Sequence, residues 1–236
     1  MKNIRAELND HELGRIYILS RSNARHITMR VRQEAIYVTT PPLTPLSKIE
    51  NVLDEFRSRL RNKQKALAPH PYYDFNFKIT TDCFQLRFEA TTEKRFTLTS
   101  IIGEEIIHCP STVNFKDERI QEWLHKVVCE ALRKQAQLFL PKRLEYQAKR
   151  CNLPFNKVTI RGSRSRWGSC SSRKDISLSF YLLTLPLHLI DAVLIHELCH
   201  TVEMNHGPRF WALMDKYTDK QAKCLTAEIK RYRTEI

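Results

Sequence analysis

The first 115 residues carry an alternating pattern of hydrophobic and polar positions. Alternating or β-branched runs occur at residues 15–19, 26–31 and 35–39, and polar turn residues separate them. A period of two is typical of strands with one buried face, so these runs predict three strands in a small antiparallel meander. Strand-like patterns return further along, at residues 77–80, 84–88, 95–98 and 105–108.

A helix interrupts this β-rich part of the chain. Pro41, Pro42 and Pro45 end the meander, and Ser47 precedes a stretch from about residue 48 to residue 67 with apolar residues every three or four positions. That spacing predicts an amphipathic helix. Its apolar positions are Ile49, Leu53, Phe56 and Leu60.

The period becomes helical from about residue 116. A long amphipathic helix is predicted to about residue 149, with Pro141 as a kink or break in its second half. Residues 157–161 and 176–180 are predicted strands, and a turn-rich stretch separates them.

This change of period predicts the fold class and the domains. Strands dominate before it and helices after it, which is typical of an α+β fold. We expect a β-rich N-terminal domain with one helix over residues 1–115 and a second, mainly helical domain over residues 116–236.

A helix predicted over residues 186–203 carries the chemistry. Pro186 is predicted at its first helical position, and apolar residues surround nearly the whole helix, which indicates that it is buried. Polar side chains in a buried helix need partners, and a metal ion would supply them for His196, Glu197 and His200.

His196 and His200 are spaced as a metal-binding pair. Residues four apart lie on one helix face about one turn apart, so both imidazoles can bind the same zinc ion. Glu197 points about 100° around the helix, from where it can reach the attacking water without binding the ion. This pattern predicts a zinc-dependent metallohydrolase with Glu197 as the general base.

The third protein ligand has two candidates. We expect Asn205 to adopt the left-handed conformation and Gly207-Pro208 to begin a new helix, so that the chain turns and brings His206 to the ion. Enzymes with the HExxHxxGxxH pattern have glycine where this chain has Glu203. Glu203 lies almost on the histidine face, so it is a rival ligand or a residue that supports the ligands.

Composition and cysteine usage fit a cytoplasmic protein. Hydrophobic residues make up 42% of the chain and charged residues 28%, as in ordinary globular domains. The seven cysteines are odd in number and form no CxxC pair, which argues against a disulfide framework and a zinc ribbon. The chain shows no signal-peptide pattern and no run of 18 apolar residues, so no membrane association is expected.

The charge is strongly basic. The net charge is +13, and residues 133–174 contain twelve basic residues against the single acid Glu145. Such a field attracts phosphates, nucleic acid or acidic peptides. An alternative function is therefore a metal-dependent nucleoside triphosphate pyrophosphatase whose basic residues bind the phosphates. Association with nucleic acid is a further expectation, as an accessory property.

Several segments together resemble a known family. Arg166-Trp167-Gly168-Ser169-Cys170, the HELCH segment at residues 196–200 and Asn205-His206 through Phe210-Trp211 are similar to the YgjP-like predicted metallopeptidases, relatives of the SprT-like and WLM proteins. The ordered set spans about residues 158–217. The β-rich part with the Pro41-Pro42 stop is also similar to that family.

The resemblance implies a minigluzincin-like metallohydrolase core, with a small sheet whose edge strand lies beside the active-site helix. It implies zinc on His196, His200 and His206, and hydrolysis of peptides or exposed protein segments. The turn of Trp167 and Ser169 would lie near the cleft. Four residues are candidates for contacting substrate: Arg164, Arg166, Trp167 and Ser169. The two arginines could face an anionic substrate or only the solvent. Phe210 and Trp211 are expected to pack rather than to contact substrate.

Overall fold

A computed structural model describes residues 4–32, 35–65 and 71–232 of the chain. It has the mixed α+β composition that the sequence predicts, with strands concentrated in the N-terminal half. Two compact units are present, Met1–Pro69 and His70–Ile236. No helix in the described ranges is both long and apolar enough to cross a membrane.

The N-terminal unit contains a four-stranded sheet in the order β1-β2-β4-β3. Its strands are β1 (Ile4–Asp10), β2 (Gly14–Ser20), β3 (Thr28–Val31) and β4 (Ile36–Thr40). β2 and β4 are parallel neighbours, so the predicted antiparallel meander is wrong at the centre of the sheet. β3 pairs with the edge of β4 that faces away from β2. β4 therefore lies between β2 and β3 in the sheet. The sequence analysis did not predict β1, although Ile4, Ala6 and Leu8 alternate there with polar residues.

Helix α1 (Leu46–Lys65) covers one face of this sheet. Ile16, Ile18, Ile36 and Val38 of β2 and β4 form a buried core with Ile49, Leu53 and Leu60 of the helix. Alternation of the strands sends the intervening side chains, Tyr17 and Tyr37 among them, to the opposite face. The helix was predicted over residues 48–67, of which the last two lie outside the described residues.

Asp10 and Arg57 connect the end of β1 to α1. Two nitrogens of the Arg57 guanidinium donate to the two carboxylate oxygens of Asp10 at 2.8 and 2.9 Å. The backbone N–H groups of Glu12 and Leu13 donate to the same carboxylate. The guanidinium of Arg57 holds the pKa of Asp10 well below its usual range, with smaller contributions from the backbone donors.

Asp10→Asn is expected to lower the free energy of unfolding by about 1 kcal/mol at pH 7. Because the pKa of Asp10 is depressed in the folded chain, its stabilisation is present above the unfolded pKa of about 3.9 and is lost as the pH falls through the folded pKa. Urea unfolding at pH 7 and pH 3 should show a gap between wild type and variant that narrows in acid. Asp54→Asn is the control, since Asp54 also contacts Arg57 but is 64% exposed. A gap independent of pH would contradict this account.

The C-terminal unit begins with a second four-stranded sheet, in the order β5-β6-β8-β7. The strands are β5 (Lys78–Thr80), β6 (Gln85–Thr91), β7 (Thr97–Ile101) and β8 (Glu104–Pro110). All four were predicted to within three residues. They pack in one core with the helices that follow: Phe84, Leu86 and Ile107 are buried in the same cluster as Leu124 and Leu132. The division between the units therefore lies near residue 70, whereas the sequence placed a boundary at residue 115.

The long helix α2 spans Glu118–Cys151 without interruption. Asp117 caps its first turn by accepting a hydrogen bond from the N–H of Arg119, and Asn152 ends it in the left-handed conformation. Pro141 does not break the helix. Leu140 and Leu144, on either side of this proline, are fully buried, and their packing holds the helix together across it.

A three-stranded sheet and the remaining helices complete this unit. The elements are β9 (Lys157–Arg161), β10 (Gly168–Cys170), β11 (Asp175–Ser179), a 3-10 helix (Phe180–Thr184), α3 (Leu187–Cys199), α4 (Pro208–Tyr217) and α5 (Ala222–Ile229). The strand order is β10-β11-β9, so β10 is an edge strand of this sheet. The sequence predicted β9 and β11, but it treated β10 as part of a turn.

Candidate metal centre

Helix α3 presents the histidine motif at its C-terminal end. Its apolar residues are buried on nearly every side, as the sequence predicted. The helix begins one residue later than predicted, with Pro186 as its N-cap, and it ends at Cys199 instead of continuing to residue 203. His200 is the C-cap, and the chain then leaves the helix axis.

Three imidazoles converge at this helix end. Nε2 of His196 lies 3.1 Å from Nε2 of His200 and 3.0 Å from Nε2 of His206. Two nitrogens bound tetrahedrally to one zinc ion at 2.0 to 2.1 Å are roughly 3.3 Å apart, so these separations suit a shared ion. Among the described residues, these three histidines form a group of potential metal ligands, and Glu203 is not a member.

The backbone of Glu203 orients one of these imidazoles. Nδ1 of His200 lies 3.0 Å from the carbonyl oxygen of Glu203. A carbonyl can only accept, so Nδ1 must carry the proton, and Nε2 then presents its lone pair to the other histidines. Glu203 thus contacts the candidate site through its main chain, as a partner that fixes the tautomer of His200.

The turn after α3 brings His206 to the other two histidines, although not in the way that the sequence predicted. Asn205 is not among the residues with positive φ, so the expected left-handed cap at this position is wrong. Instead, the backbone N–H groups of residues 201–203 donate to the carbonyls of Leu198 and Cys199, and these hydrogen bonds make the turn. Gly207 and Pro208 begin α4 as predicted. The indole N–H of Trp211 donates to the carbonyl of His206 at 3.1 Å and holds the residue in place.

Phe210 packs against all three histidines. Its ring is fully buried, and its centroid lies 4.9 Å from that of His196, 4.6 Å from that of His200 and 4.7 Å from that of His206. The contact with His200 is stacked. The sequence predicted only that Phe210 packs. No local pattern indicates these contacts, because His206 precedes α4 and the other two histidines lie at the end of α3.

Phe210→Leu is expected to weaken zinc binding and to cost about 1 kcal/mol of stability. A branched aliphatic side chain cannot support three rings at once, so the imidazoles lose their alignment. Zinc affinity is measured by competition with a chromophoric chelator, and stability by urea unfolding. Phe180→Leu is the matched control, because Phe180 is also buried in this unit but has none of the imidazole contacts of Phe210. Equal losses of zinc affinity in the two variants would contradict a role for Phe210 in aligning the histidines.

Glu197 lies beneath strand β10 in a site that only glycine permits. A Cβ atom on Gly168 would lie 2.6 Å from Oε1, 2.7 Å from Cγ and 2.8 Å from Cδ of Glu197, far inside normal contact distance. The glutamate is 5% exposed, and its Oε2 is buried without a hydrogen-bond partner in the described structure. Burial raises the pKa of Glu197 to about 8, and the positive charge of Arg166 opposes this rise.

The same environment favours neutral histidines. Burial lowers the pKa of His196 to about 4, with additional lowering by His200 and His206. Burial also lowers the pKa of His200. Neutral imidazole is the form that binds metal ions, so these groups present free lone pairs at neutral pH.

The other residues singled out by the sequence lie in different places. Arg166 is exposed and close enough to Glu197 to affect its charge. Arg164 instead donates to the hydroxyl of Tyr181 at 3.1 Å and lies 2.9 Å from Nε2 of His125. Trp167 is half-buried against the core of the unit.

Ser169 is part of β10, between Gly168 and Cys170. Side chains alternate along a strand, so Ser169 points to the sheet face opposite the one from which Gly168 contacts Glu197. The sequence therefore placed the correct segment near the site, as a turn, but it did not identify which residues of that segment approach the histidine motif.

Comparison with known proteins agrees with this geometry. The family description "YgjP-like, metallopeptidase domain" matches residues 25–232. The chain belongs to the YgjP-like metallopeptidase family. No curated protein and no solved structure matches it. The match includes β3 and β4 of the N-terminal sheet and the histidine cluster, which confirms the resemblance found in the sequence and supports a metal-binding hydrolase.

Proposed function

We propose that this YgjP-like chain is a zinc-dependent metallopeptidase in which His196, His200 and His206 bind the ion and Glu197 is the general base. The observation that supports this most is the position of the three imidazoles beside a buried glutamate. Nε2 of His196 lies within hydrogen-bonding distance of Nε2 of both His200 and His206, and the ligand atoms of the three residues lie within 4.8 Å of one another. The imidazoles cannot satisfy one another, because Nε2 of His196 has either one proton or one lone pair for both neighbouring Nε2 atoms, whereas a cation accepts a lone pair from each ring.

The donor set suits zinc. Three neutral nitrogen ligands that leave a fourth position open are the usual arrangement of catalytic zinc sites. The unpartnered Oε2 of Glu197 supports the same assignment, since a buried carboxylate oxygen without a donor is costly unless a water or substrate group reaches it. Zinc bound there would lower the pKa of the attacking water toward about 7 and polarise the scissile carbonyl.

Glu197 would move the proton. Its carboxylate accepts a proton from the attacking water and later delivers it to the departing amide nitrogen, as general acid-base catalysis requires. Burial raises the pKa of Glu197 and so opposes the ionised carboxylate that must accept this proton, and the charge of Arg166 favours it. Gly168 lets the strand approach closely and excludes bulk water from the glutamate.

The edge strand β10 offers a place for an extended peptide. Backbone hydrogen bonds flank the pairing of β10 with β11. The carbonyl of Trp167 accepts from the N–H of Ser179 at 2.8 Å, and the N–H of Ser171 donates to the carbonyl of Asp175 at 2.9 Å. Hydrogen bonds alternate in direction along an antiparallel strand, so the backbone groups of Gly168 and Cys170 point to the open edge. A substrate strand added there would lie alongside the strand whose Gly168 contacts Glu197. The minigluzincin-like core that the family resemblance implies is part of this proposal.

No feature of the described site favours the nucleotide pyrophosphatase alternative. That reaction needs several cations around a triphosphate, and Arg164 is directed to Tyr181 and His125. Nucleic-acid association through residues 133–174 and a cytoplasmic location remain predictions from the sequence.

Metal removal tests the proposal. Protein treated with a zinc chelator is expected to lose cleavage of a broad peptide library, read by mass spectrometry, and one equivalent of zinc should restore it. Pyrophosphate release from a nucleoside triphosphate panel is measured with the same preparations. Peptide cleavage that survives complete zinc removal, or zinc-dependent pyrophosphate release without peptide cleavage, would overturn the proposal.

A further inference from the structure

The N-terminal unit has a second surface with distinct chemistry, on the face of its sheet opposite α1. Residues 14–32 contain five arginines and no acidic residue. Four of these arginines, Arg21, Arg25, Arg30 and Arg32, line a groove of about 290 Å³ at this face. We call it the arginine groove. It lies in the unit that does not contain the histidine cluster, so it has no assigned role in peptide hydrolysis.

The arginine groove is strongly positive. His26 joins the four arginines in its wall, and no aspartate or glutamate is among the described residues that line it. Within the part of the chain that the structure describes, none of the four arginines forms an ion pair, although Arg15 on the same sheet pairs with Glu7 at 3.4 Å. All four are exposed. Clustered, unneutralised guanidinium groups of this kind attract phosphate groups.

Aromatic rings lie beside these charges. Tyr37 lines the groove and is only half-buried, with the guanidinium carbon of Arg32 5.2 Å from its ring centroid. Tyr17, on the neighbouring strand, lies 5.3 Å from Tyr37 between centroids. Strand pairing places Arg30 directly opposite Tyr37, and Tyr37 opposite Tyr17, so cation and rings form a row across the sheet.

We propose that this sheet face binds single-stranded nucleic acid, with the arginines contacting backbone phosphates and the tyrosine rings stacking on bases. Cations alone would fit any polyanion. The adjacent rings on the sheet face are what favour an unpaired strand, because only unpaired bases expose their faces for stacking. A duplex hides its bases, and a phospholipid headgroup offers no planar ring.

The test uses the full-length protein and a fluorescein-labelled mixed-sequence oligonucleotide of about 12 nucleotides. Fluorescence anisotropy is measured with RNA and DNA forms over a range of salt concentrations. Binding is expected to weaken with salt, with a log–log slope of about −0.7 for each phosphate contacted. The double variant Arg30→Gln/Arg32→Gln should bind more weakly and reduce the slope by about 1.4.

The matched control is Arg59→Gln/Arg61→Gln. It removes the same charge from exposed positions on α1, the helix that packs against the other face of the sheet. Its affinity and salt slope are expected to stay close to those of the wild type. Tyr37→Leu should lower the affinity roughly tenfold without changing the salt slope, since stacking is lost while the charges remain. Tyr37→Phe should retain the affinity, and circular dichroism confirms that each variant is folded.

Several results would overturn the proposal. These are absence of oligonucleotide binding at low salt, equal weakening by the two double variants, or binding of duplex DNA as tight as that of the single strand. Binding to anionic phospholipid vesicles that depends on Arg30 and Arg32, without oligonucleotide binding, would also overturn it. Peptide cleavage is measured in parallel and is expected to be unchanged in all of these variants.

Discussion

Glu197→Gln is expected to lower peptide hydrolysis by about 10²- to 10⁴-fold while the zinc content stays at the wild-type level. Glutamine has nearly the same shape, so the contact with Gly168 and the histidine cluster are preserved. It cannot accept a proton, however, and the attacking water loses its general base. The measurements are kcat/KM on a cleaved peptide and metal content by mass spectrometry.

Glu203→Gln separates the two glutamates of this region. The contact from Glu203 to His200 is made by its backbone carbonyl, which the substitution retains, so zinc should remain bound with similar affinity. A large loss of zinc in this variant would make the Glu203 carboxylate a ligand. Undiminished hydrolysis by Glu197→Gln would remove Glu197 from the reaction and require another base.

Gly168→Ala is expected to have the second large effect. The added methyl group would lie between 2.6 and 2.8 Å from three atoms of Glu197, and the buried glutamate has little room to move. Either the carboxylate or β10 must shift. Overpacking costs about 1 to 3 kcal/mol of stability, and a displacement of about 1 Å at a reacting group lowers the rate by about 10²-fold. Urea unfolding and kcat/KM measure the two effects separately.

Gly207→Ala is the matched control for this substitution. Gly207 also lies next to the histidine cluster, but a Cβ there would have no atom within 4 Å, and its φ of −79° is open to alanine. Activity and stability should therefore stay near wild type. If both alanine variants lost activity equally, the close contact between Gly168 and Glu197 would not be the cause.

The local pattern of the sequence predicted most of the elements. Strands and helices that bury one face have a characteristic period of apolar residues in the sequence. The sequence predicted α2 within two residues at each end because its apolar stripe runs through more than thirty residues. The pairing between strands was harder to predict from the sequence. The parallel contact of β2 with β4 depends on where β3 folds, and nothing in the period of two distinguishes parallel from antiparallel neighbours.

The candidate site likewise contains contacts that the sequence predicted and contacts that it did not. Helix geometry alone brought His196 and His200 together and placed Glu197 beside them. The approach of His206 was expected from a turn, and the structure makes that turn with different backbone conformations. The contacts of Phe210 with three imidazoles and of Gly168 with Glu197 join residues on separate elements, so no local pattern could reveal them.

The sequence by itself determined the histidine motif, its buried helix, the basic character of the chain and the family to which it belongs. Each of these depends on residue types at short spacing, where the chain's covalent geometry sets the distances. Only the tertiary structure decided the division of the chain near residue 70, the glycine contact at Glu197 and the arginine groove beside Tyr37. These features arise where distant segments pack, and packing depends on the whole set of side chains that must share one core.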